Sequence, residues 1–190
     1  MHVLVLRSCS CNTPAMSFDQ RIEIFTDGAC SPNPGPGGYG VIIVRMGETQ
    51  ELSGGFLKTT NNRMEMIAAI RALEAIGADP GSNITLYSDS RYLVDMLNGG
   101  HAATWRANGW RLASRKRALN IDLWTTLLDL AKHVKVTFEW VKGHNEHAEN
   151  ERCDEMAVAA RLGNDLPADD GYLAQLTQAE PQQLSLFDML

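Results

Sequence analysis

Residues 22–45 read IEIFTDGACSPNPGPGGYGVIIVR, and this stretch decides the fold. From Ile22 to Thr26 apolar and polar residues alternate with the period of a strand, and Asp27-Gly28 ends it in a turn. The run SPNPGPGG, residues 31–38, combines prolines that fix backbone angles with glycines that accept angles other residues avoid. It therefore reads as a tight ordered loop. Tyr39 to Arg45 is a second strand and Glu51 to Leu57 a third, with Met46 to Gln50 between them short enough for a hairpin. The three strands are expected as antiparallel neighbours.

Beyond them strands alternate with helices. Met66, Ile67, Ile70, Leu73 and Ile76 recur at three- and four-residue spacing, which predicts an amphipathic helix from Asn61 to Ile76 closed by Gly77. Ile84 to Ser88 reads as a strand, Ser90 to Leu97 as a short helix closed by Gly99-Gly100, and Ile121 to Ala131 as another helix. Val134 to Val141 alternates as a strand does, and the last helix runs from about Asn150, the expected N-cap, to Leu162. A hairpin followed by such alternation predicts an α/β fold, a mixed sheet flanked by helices.

The chain has 190 residues, 44% hydrophobic and 21% charged, which fits one domain with tails and excludes wholesale disorder. Residues 1–20 read as an N-terminal extension, 21–163 as the domain and 164–190 as an acidic tail. No apolar run approaches the roughly 20 residues needed to cross a bilayer. The short run Val3 to Leu6 lacks the length and basic flank of an export signal. Cys9, Cys11, Cys30 and Cys153 form no C-x-x-C pair, so a soluble protein of the reducing cytoplasm is expected. The net charge is −6, but the five acids after Arg161 leave only −1 for residues 1–161. Within that body WRANGWRLASRKR, residues 105–117, carries Arg106, Arg111, Arg115, Lys116 and Arg117 with no acid, a patch suited to a polyanion backbone.

Carboxylates stand at element ends. Asp27 follows the first strand and Asp89 the fourth, at the edge of an α/β sheet where ligands bind. Glu65 falls in the first turn of its helix and Asp154 near the start of the last one. Each alone fits a turn or a cap as well as a site.

The stretches TDGACSPNPGPGGYG, TTNNRMEMIAAIRALEA, LYSDSRYL, WRANGWRL and VKGHNEHAENERCDEMA together resemble the type 1 ribonuclease H of bacteria, in that family's order, over roughly Arg21 to Tyr172. The resemblance implies an RNase H-like five-stranded mixed sheet flanked by helices. It implies hydrolysis of the RNA strand of an RNA/DNA hybrid, leaving 5'-phosphate and 3'-hydroxyl ends. It also implies Asp27, Glu65, Asp89 and Asp154 as metal ligands and His144, in KGHNEH, as a mobile proton-transfer residue. Two Mg2+ ions, or Mn2+, are the implied cofactors. Such hard cations prefer carboxylate oxygen, and a pair of them stabilises both the attacking and the leaving oxygen of a phosphodiester. The spacing of His144, His147 and Cys153 leaves a zinc reading open, without an obvious fourth ligand.

Substrate contacts carry over in the same way. Asn33 and Asn61, with Asn62, match positions for minor-groove contact, where the 2'-hydroxyl distinguishes RNA from DNA. Thr60, with Lys58 close by, resembles a pocket for a DNA phosphate. Trp105, Arg106, Trp110, Arg111, Arg115, Lys116 and Arg117 resemble a basic protrusion that grips the DNA strand, although Trp105 and Trp110 fit a core equally well. His101 stands where several family members have an aromatic residue, which weakens the expected grip there. In PQQLSLFDML, residues 181–190, Gln183, Leu184, Leu186 and Phe187 resemble the peptide by which bacterial replication proteins dock on the sliding clamp; packing on its own domain is the rival reading. A monomer with no membrane partner is expected. A DNA-only nuclease on the same scaffold and a catalytically silent hybrid-binding module are the alternative functions, and the presence of all four acids speaks against the second.

Overall fold

The hairpin expected from residues 22–45 forms, but its strands run further than the alternation suggests. In the computed structural model, which describes residues 21–143 and 148–179, β1 spans Arg21–Cys30, β2 Gly35–Arg45 and β3 Glu48–Thr59. The expected loop shrinks to residues 31–34, because the glycines from Gly35 to Gly40 serve a strand packed at close range rather than a turn. A Cβ on Gly38 would stand 2.6 Å from the Arg161 amide nitrogen, and one on Gly40 would stand 2.9 Å from the carbonyl carbon of Cys153. Both neighbours are backbone atoms of a later helix, so glycine paves the sheet where that helix lies down.

The remaining elements are α1 (Asn61–Ile76), β4 (Asn83–Ser88), α2 (Arg91–Asn98), α3 (His101–Ala107), α4 (Ile121–Leu130), β5 (Lys135–Trp140), α5 (Ala148–Arg161) and α6 (Asp170–Ala179). The sheet order is β3-β2-β1-β4-β5. β1, β2 and β3 pair antiparallel, while β4 pairs parallel with both β1 and β5, which is the mixed sheet expected. Pleating sends alternate residues to opposite faces. Ile22, Ile24, Val41 and Ile43 join a cluster with Met66, Ile70 and Leu73 of α1, which also takes in Leu93, Trp124, Leu127 and Phe138. On the other face Phe25 and Ile42 meet Cys153 and Met156 of α5. Each such side chain contributes about 1.5–3 kcal/mol when fully buried. The sheet is therefore covered on both sides, by α5 alone on one of them among the described residues.

Helix ends follow their local chemistry. Thr60 caps α1, its Oγ1 accepting from the Arg63 amide at 3.4 Å, and Gly77 closes the helix at φ 70°, donating to the Leu73 carbonyl. α5 differs from expectation by starting at Ala148, so that Asn150 lies buried inside the helix instead of capping it. Ala148 and Glu149 are good helix formers, and acids in the first turn favour the helix dipole, which carries the helix backward. α3 has no counterpart in the sequence reading, since seven residues, HAATWRA, hold too few apolar positions for a periodic signal.

The stretch after Gly163, read as an acidic tail, carries α6 and returns to the body of the fold. Arg63, only 1% exposed, is the anchor. Its Nε and Nη2 donate to both Asp169 oxygens at 2.7 Å, and Nη1 and Nη2 donate to Asp122 at 3.0 and 2.7 Å. Asp169 also accepts from Thr59 Oγ1 at 2.7 Å and from the Tyr172 amide at 3.0 Å. Burial alone would raise the Asp169 pKa, but the donors from Arg63, Thr59 and Tyr172 outweigh it and hold the carboxyl below its ordinary range. No helix among the described residues is long and apolar enough to cross a membrane.

Candidate active site

Strand register brings the first two acids together. β1 and β4 are parallel neighbours whose last paired residues are Thr26 and Ser88, so Asp27 and Asp89 are the next residues of adjacent strands at one sheet edge. Gly28 admits the third. A Cβ there would stand 2.6 Å from the Met64 carbonyl carbon and 2.8 Å from the Met64 Cβ, so only glycine lets the start of α1 press against β1 beside Asp27. Glu65 is thereby delivered to the same edge. One oxygen from each of Asp27, Glu65 and Asp89 lies within 4.8 Å of the others.

Asp27 and Glu65 are buried and Asp89 is half-buried. Burial raises the Asp27 pKa most, the Asp89 charge adds to it and Asp154 adds less, while the Gly28 amide, donating at 2.7 Å, opposes them; the result is about 7. Glu65 is pushed well above the ordinary carboxyl range, first by burial and then by Asp27 and Asp89. Its Oε1 accepts from Asn61 Nδ2 at 3.4 Å, but its buried Oε2 has no hydrogen-bond partner among the described residues. An orphaned buried carboxylate oxygen is costly, and like charges this close repel. A divalent cation relieves both costs at once. The donor set is all oxygen, which fits Mg2+ or Mn2+ and not a soft thiolate site.

Asp154, the fourth expected ligand, sits half-buried on α5, close enough to raise the Asp27 pKa yet outside the group of three. His144 and His147 lie outside the described residues, as do residues 183–187. Cys153, the remaining member of the zinc alternative, is buried with its Sγ 3.3 Å from the Phe25 carbonyl oxygen, and burial pushes its thiol up to about 12. That thiol stays protonated and serves the packing of α5.

The expected substrate residues fall into two groups around this edge. Asn33 lies exposed in the short loop after β1, where its Oδ1 accepts from the Asn61 amide at 3.2 Å, while Asn61 Oδ1 accepts from the Cys30 amide at 3.1 Å. The two asparagines thus bridge the loop and the start of α1. Lys58 and Asn62 are exposed on either side of Thr60, whose hydroxyl is engaged as the α1 cap. The basic segment forms α3 and a tight loop held by Ala118 N to Trp110 O at 2.8 Å and Leu112 N to Lys116 O at 2.9 Å. Arg111, Arg115, Lys116 and Arg117 are exposed on that loop. Arg106 instead pairs with Asp129 at 2.7 Å, and Trp105 stands edge-on to buried Trp124 with ring centroids 6.4 Å apart. Trp105 and Trp110 both pack against the core, which is the bland reading of the two.

Sequence reasoning passed over Gly28 and Arg63. Gly28 was absorbed into a turn signal, although its neighbour Asp27 marked it. Arg63 was a lone basic residue in a helix otherwise buried at that level, but its acids lie 59 and 106 residues away and no spacing rule reaches them.

This sheet order, with a carboxylate cluster at the edge shared by β1 and β4, defines a nuclease of ribonuclease H architecture. The family model for RNase H matches residues 19–161, and the chain belongs to that family. The chain is 51% identical over 160 residues to the Ribonuclease H of Syntrophus aciditrophicus (strain SB), covering 84% of this chain and 91% of the relative. It is 53% identical over 151 residues to that of Trichodesmium erythraeum (strain IMS101), covering 80% and 95%. Among solved structures it is similar to LC9-RNase H1, a type 1 RNase H with the type 2 active-site motif, with a TM-score of 0.66, 30% identity and coverage of 76% of this chain and 74% of that one. LC11-RNase H1, solved in complex with RNA/DNA hybrid, matches with a TM-score of 0.57, 26% identity and coverage of 73% and 95%. The chain is an enzyme, a hydrolase of the nuclease class.

Proposed function

We propose that this chain is an endonuclease that hydrolyses the RNA strand of RNA/DNA hybrids, leaving 5'-phosphate and 3'-hydroxyl ends, and that Asp27, Glu65, Asp89 and Asp154 hold two Mg2+ or Mn2+ ions. The observation that carries the reading is the buried acid group with its orphaned Glu65 oxygen, an arrangement whose charged form is reconciled with burial by divalent cations. The hybrid-bound relative LC11-RNase H1 supports the choice of substrate. Bound divalent cations supply neutralisation of phosphate charge and a water acidic enough to attack at neutral pH.

The chain's own residues do the rest. Asp27 and Glu65, fixed by β1 and α1, provide oxygen donors that need no rearrangement, and the surrounding core excludes bulk water from their side of the cleft. Asp89, the more exposed of the three, is the one most open to an arriving phosphate. Asn33 and Asn61 offer amides to the 2'-hydroxyl and minor-groove edge, and Asn62 stands beside them. Lys58 and Thr60 meet a phosphate of the DNA strand, while the exposed Arg111, Arg115, Lys116 and Arg117 follow its backbone from a segment that Trp105, Trp110 and Arg106 anchor to the body of the fold. His144 passes a proton to the leaving 3'-oxygen, an acid–base role that imidazole chemistry suits. In this reading the enzyme works as a monomer in the cytoplasm, and Gln183, Leu184, Leu186 and Phe187 recruit it to a sliding clamp.

Cleavage of end-labelled hybrid, RNA duplex and DNA duplex, each with Mg2+, Mn2+ or EDTA, tests the reading. Only the hybrid's RNA strand is cut, only with metal, and Asp27→Asn is inactive; cutting of DNA duplex at a similar rate, or activity in EDTA, ends it. The clamp reading is tested separately, since Phe187→Ala abolishes binding to purified clamp while leaving hybrid cleavage intact.

A further inference from the structure

Five of the eleven arginines of the described residues appear in ion pairs with carboxylates. Arg45 pairs with Asp79, Arg71 with Glu74, Arg106 with Asp129, Arg152 with Glu51 and Glu155, and Arg63 with two acids. Arg91 is different. It is the exposed first residue of α2, and its guanidinium carbon lies 3.6 Å from the ring centroid of Trp140. It makes no salt bridge to a carboxylate among the described residues. Trp140 ends β5 in register with Ser88, keeps 37% of its surface exposed, and donates its indole N–H to the Asp89 carbonyl at 3.0 Å. Indole and guanidinium thus form a platform fastened to the backbone of an acid in the candidate metal group.

The chemistry of that platform is specific. A guanidinium stacked on an aromatic face is held in one plane, and its N–H fork projects from the edge of the stack. Holding the fork in place beforehand reduces the entropy lost when it binds, and planar forks match phosphate oxygens. Arg91 follows Asp89 by two residues, so their Cα atoms are at most roughly 7 Å apart. An anion bound by this fork is therefore a near neighbour of whatever phosphate the acids handle. The strand being cleaved is the one that supplies such a neighbour.

We propose that Arg91, held flat on Trp140, binds a backbone phosphate of the cleaved strand next to the scissile one and fixes the register in which that strand meets Asp89. The inference rests on the hybrid-cleaving reading above. Steady-state cleavage of a short hybrid with Mg2+, measured from 50 to 200 mM salt for wild type, Arg91→Ala, Arg91→Lys and Trp140→Phe, tests it. Arg91→Ala raises KM roughly tenfold, leaves kcat within about twofold, and flattens the log–log salt dependence of kcat/KM by about 0.7 to 0.9, the loss of one phosphate contact. Arg91→Lys regains the salt slope, because the charge returns, but only part of the KM, because the fork does not. Trp140→Phe, which keeps a ring beneath Arg91, preserves the salt slope. Wild-type KM and slope in Arg91→Ala, with wild-type enzyme cutting hybrid normally, overturn this inference and leave the reading beneath it standing. A fall in kcat alone, shared by Arg91→Ala and Trp140→Phe, also overturns it, since that result assigns the platform to the placement of Asp89. Failure of wild type to cut hybrid with either metal overturns the underlying reading instead.

Discussion

Replacing Asp169 with Asn strands a buried charge, and the cost follows from the geometry. Arg63 is 1% exposed and Asp169 4%, and they share two hydrogen bonds of 2.7 Å. Removing one partner of such a pair costs about 3–5 kcal/mol. Asp122, at 43% side-chain exposure, still accepts from Arg63 in the variant, which places the loss at the lower end, about 3 kcal/mol. For a domain of this size that lowers Tm by roughly 6 to 12 °C. Thermal unfolding by circular dichroism in EDTA at pH 7 measures it. The pH dependence has a definite sign. Asp169 is held below its ordinary value of 3.8, so its contribution is fully present above that pH and disappears as pH falls through the lower folded-state pKa. The gap between wild type and Asp169→Asn therefore narrows under acid conditions. A Tm difference below about 2 °C at pH 7, where roughly 6 °C or more is expected, refutes the reasoning.

Asp27→Asn raises the Tm of the metal-free protein at pH 8 while abolishing cleavage. The native carboxyl binds its proton up to about pH 7 against 3.8 for the ordinary group, so metal-free stability is lost as pH rises between those values, by at most about 4 kcal/mol. By the same sign Mg2+ stabilises wild type more at pH 8 than at pH 5.5, which a melting series with and without metal reads directly. Gly40→Ala drives a Cβ into the Cys153 backbone and costs about 3 kcal/mol in urea unfolding, together with activity, because α5 carries Asp154. The triple change Arg115→Ala, Lys116→Ala, Arg117→Ala flattens the salt dependence of kcat/KM by roughly 2 to 3, whereas Arg106→Ala, already neutralised by Asp129, changes it by less than about 0.5.

The elements visible in the sequence were those whose burial is one-sided. Ile22 and Ile24, or Met66, Ile70 and Leu73, repeat at the period of their element because a single face meets the core. Glycine was read less well, since the residue that permits a turn also permits a helix to lie on a strand, and Gly38 and Gly40 do the second. Among the acids, position at element ends left Asp27, Glu65, Asp89 and Asp154 each open to a turn or cap reading, and the resemblance to ribonuclease H is what made them a set. Their convergence depends on β1 and β4 being neighbours in register, which no local pattern encodes. The distance of Asp154 from the group is set by where α5 rests on β2, again a matter of packing. Arg63, Asp122 and Asp169 were invisible as a unit because the contacts close loops of 59 and 106 residues.

The bond from Arg63 to Asp169 also has a bearing on when the molecule becomes competent. The turn of α1 just ahead of Glu65 receives its last support from a carboxylate translated 106 residues later. A nascent chain that has not yet reached Asp169 has not locked that corner, and α5 must follow β5 before Phe25 and Ile42 are covered. The acid edge is therefore among the last parts of the described fold to be braced as the chain is made, because its final support comes from Asp169 at the head of α6 rather than from the strands beside it.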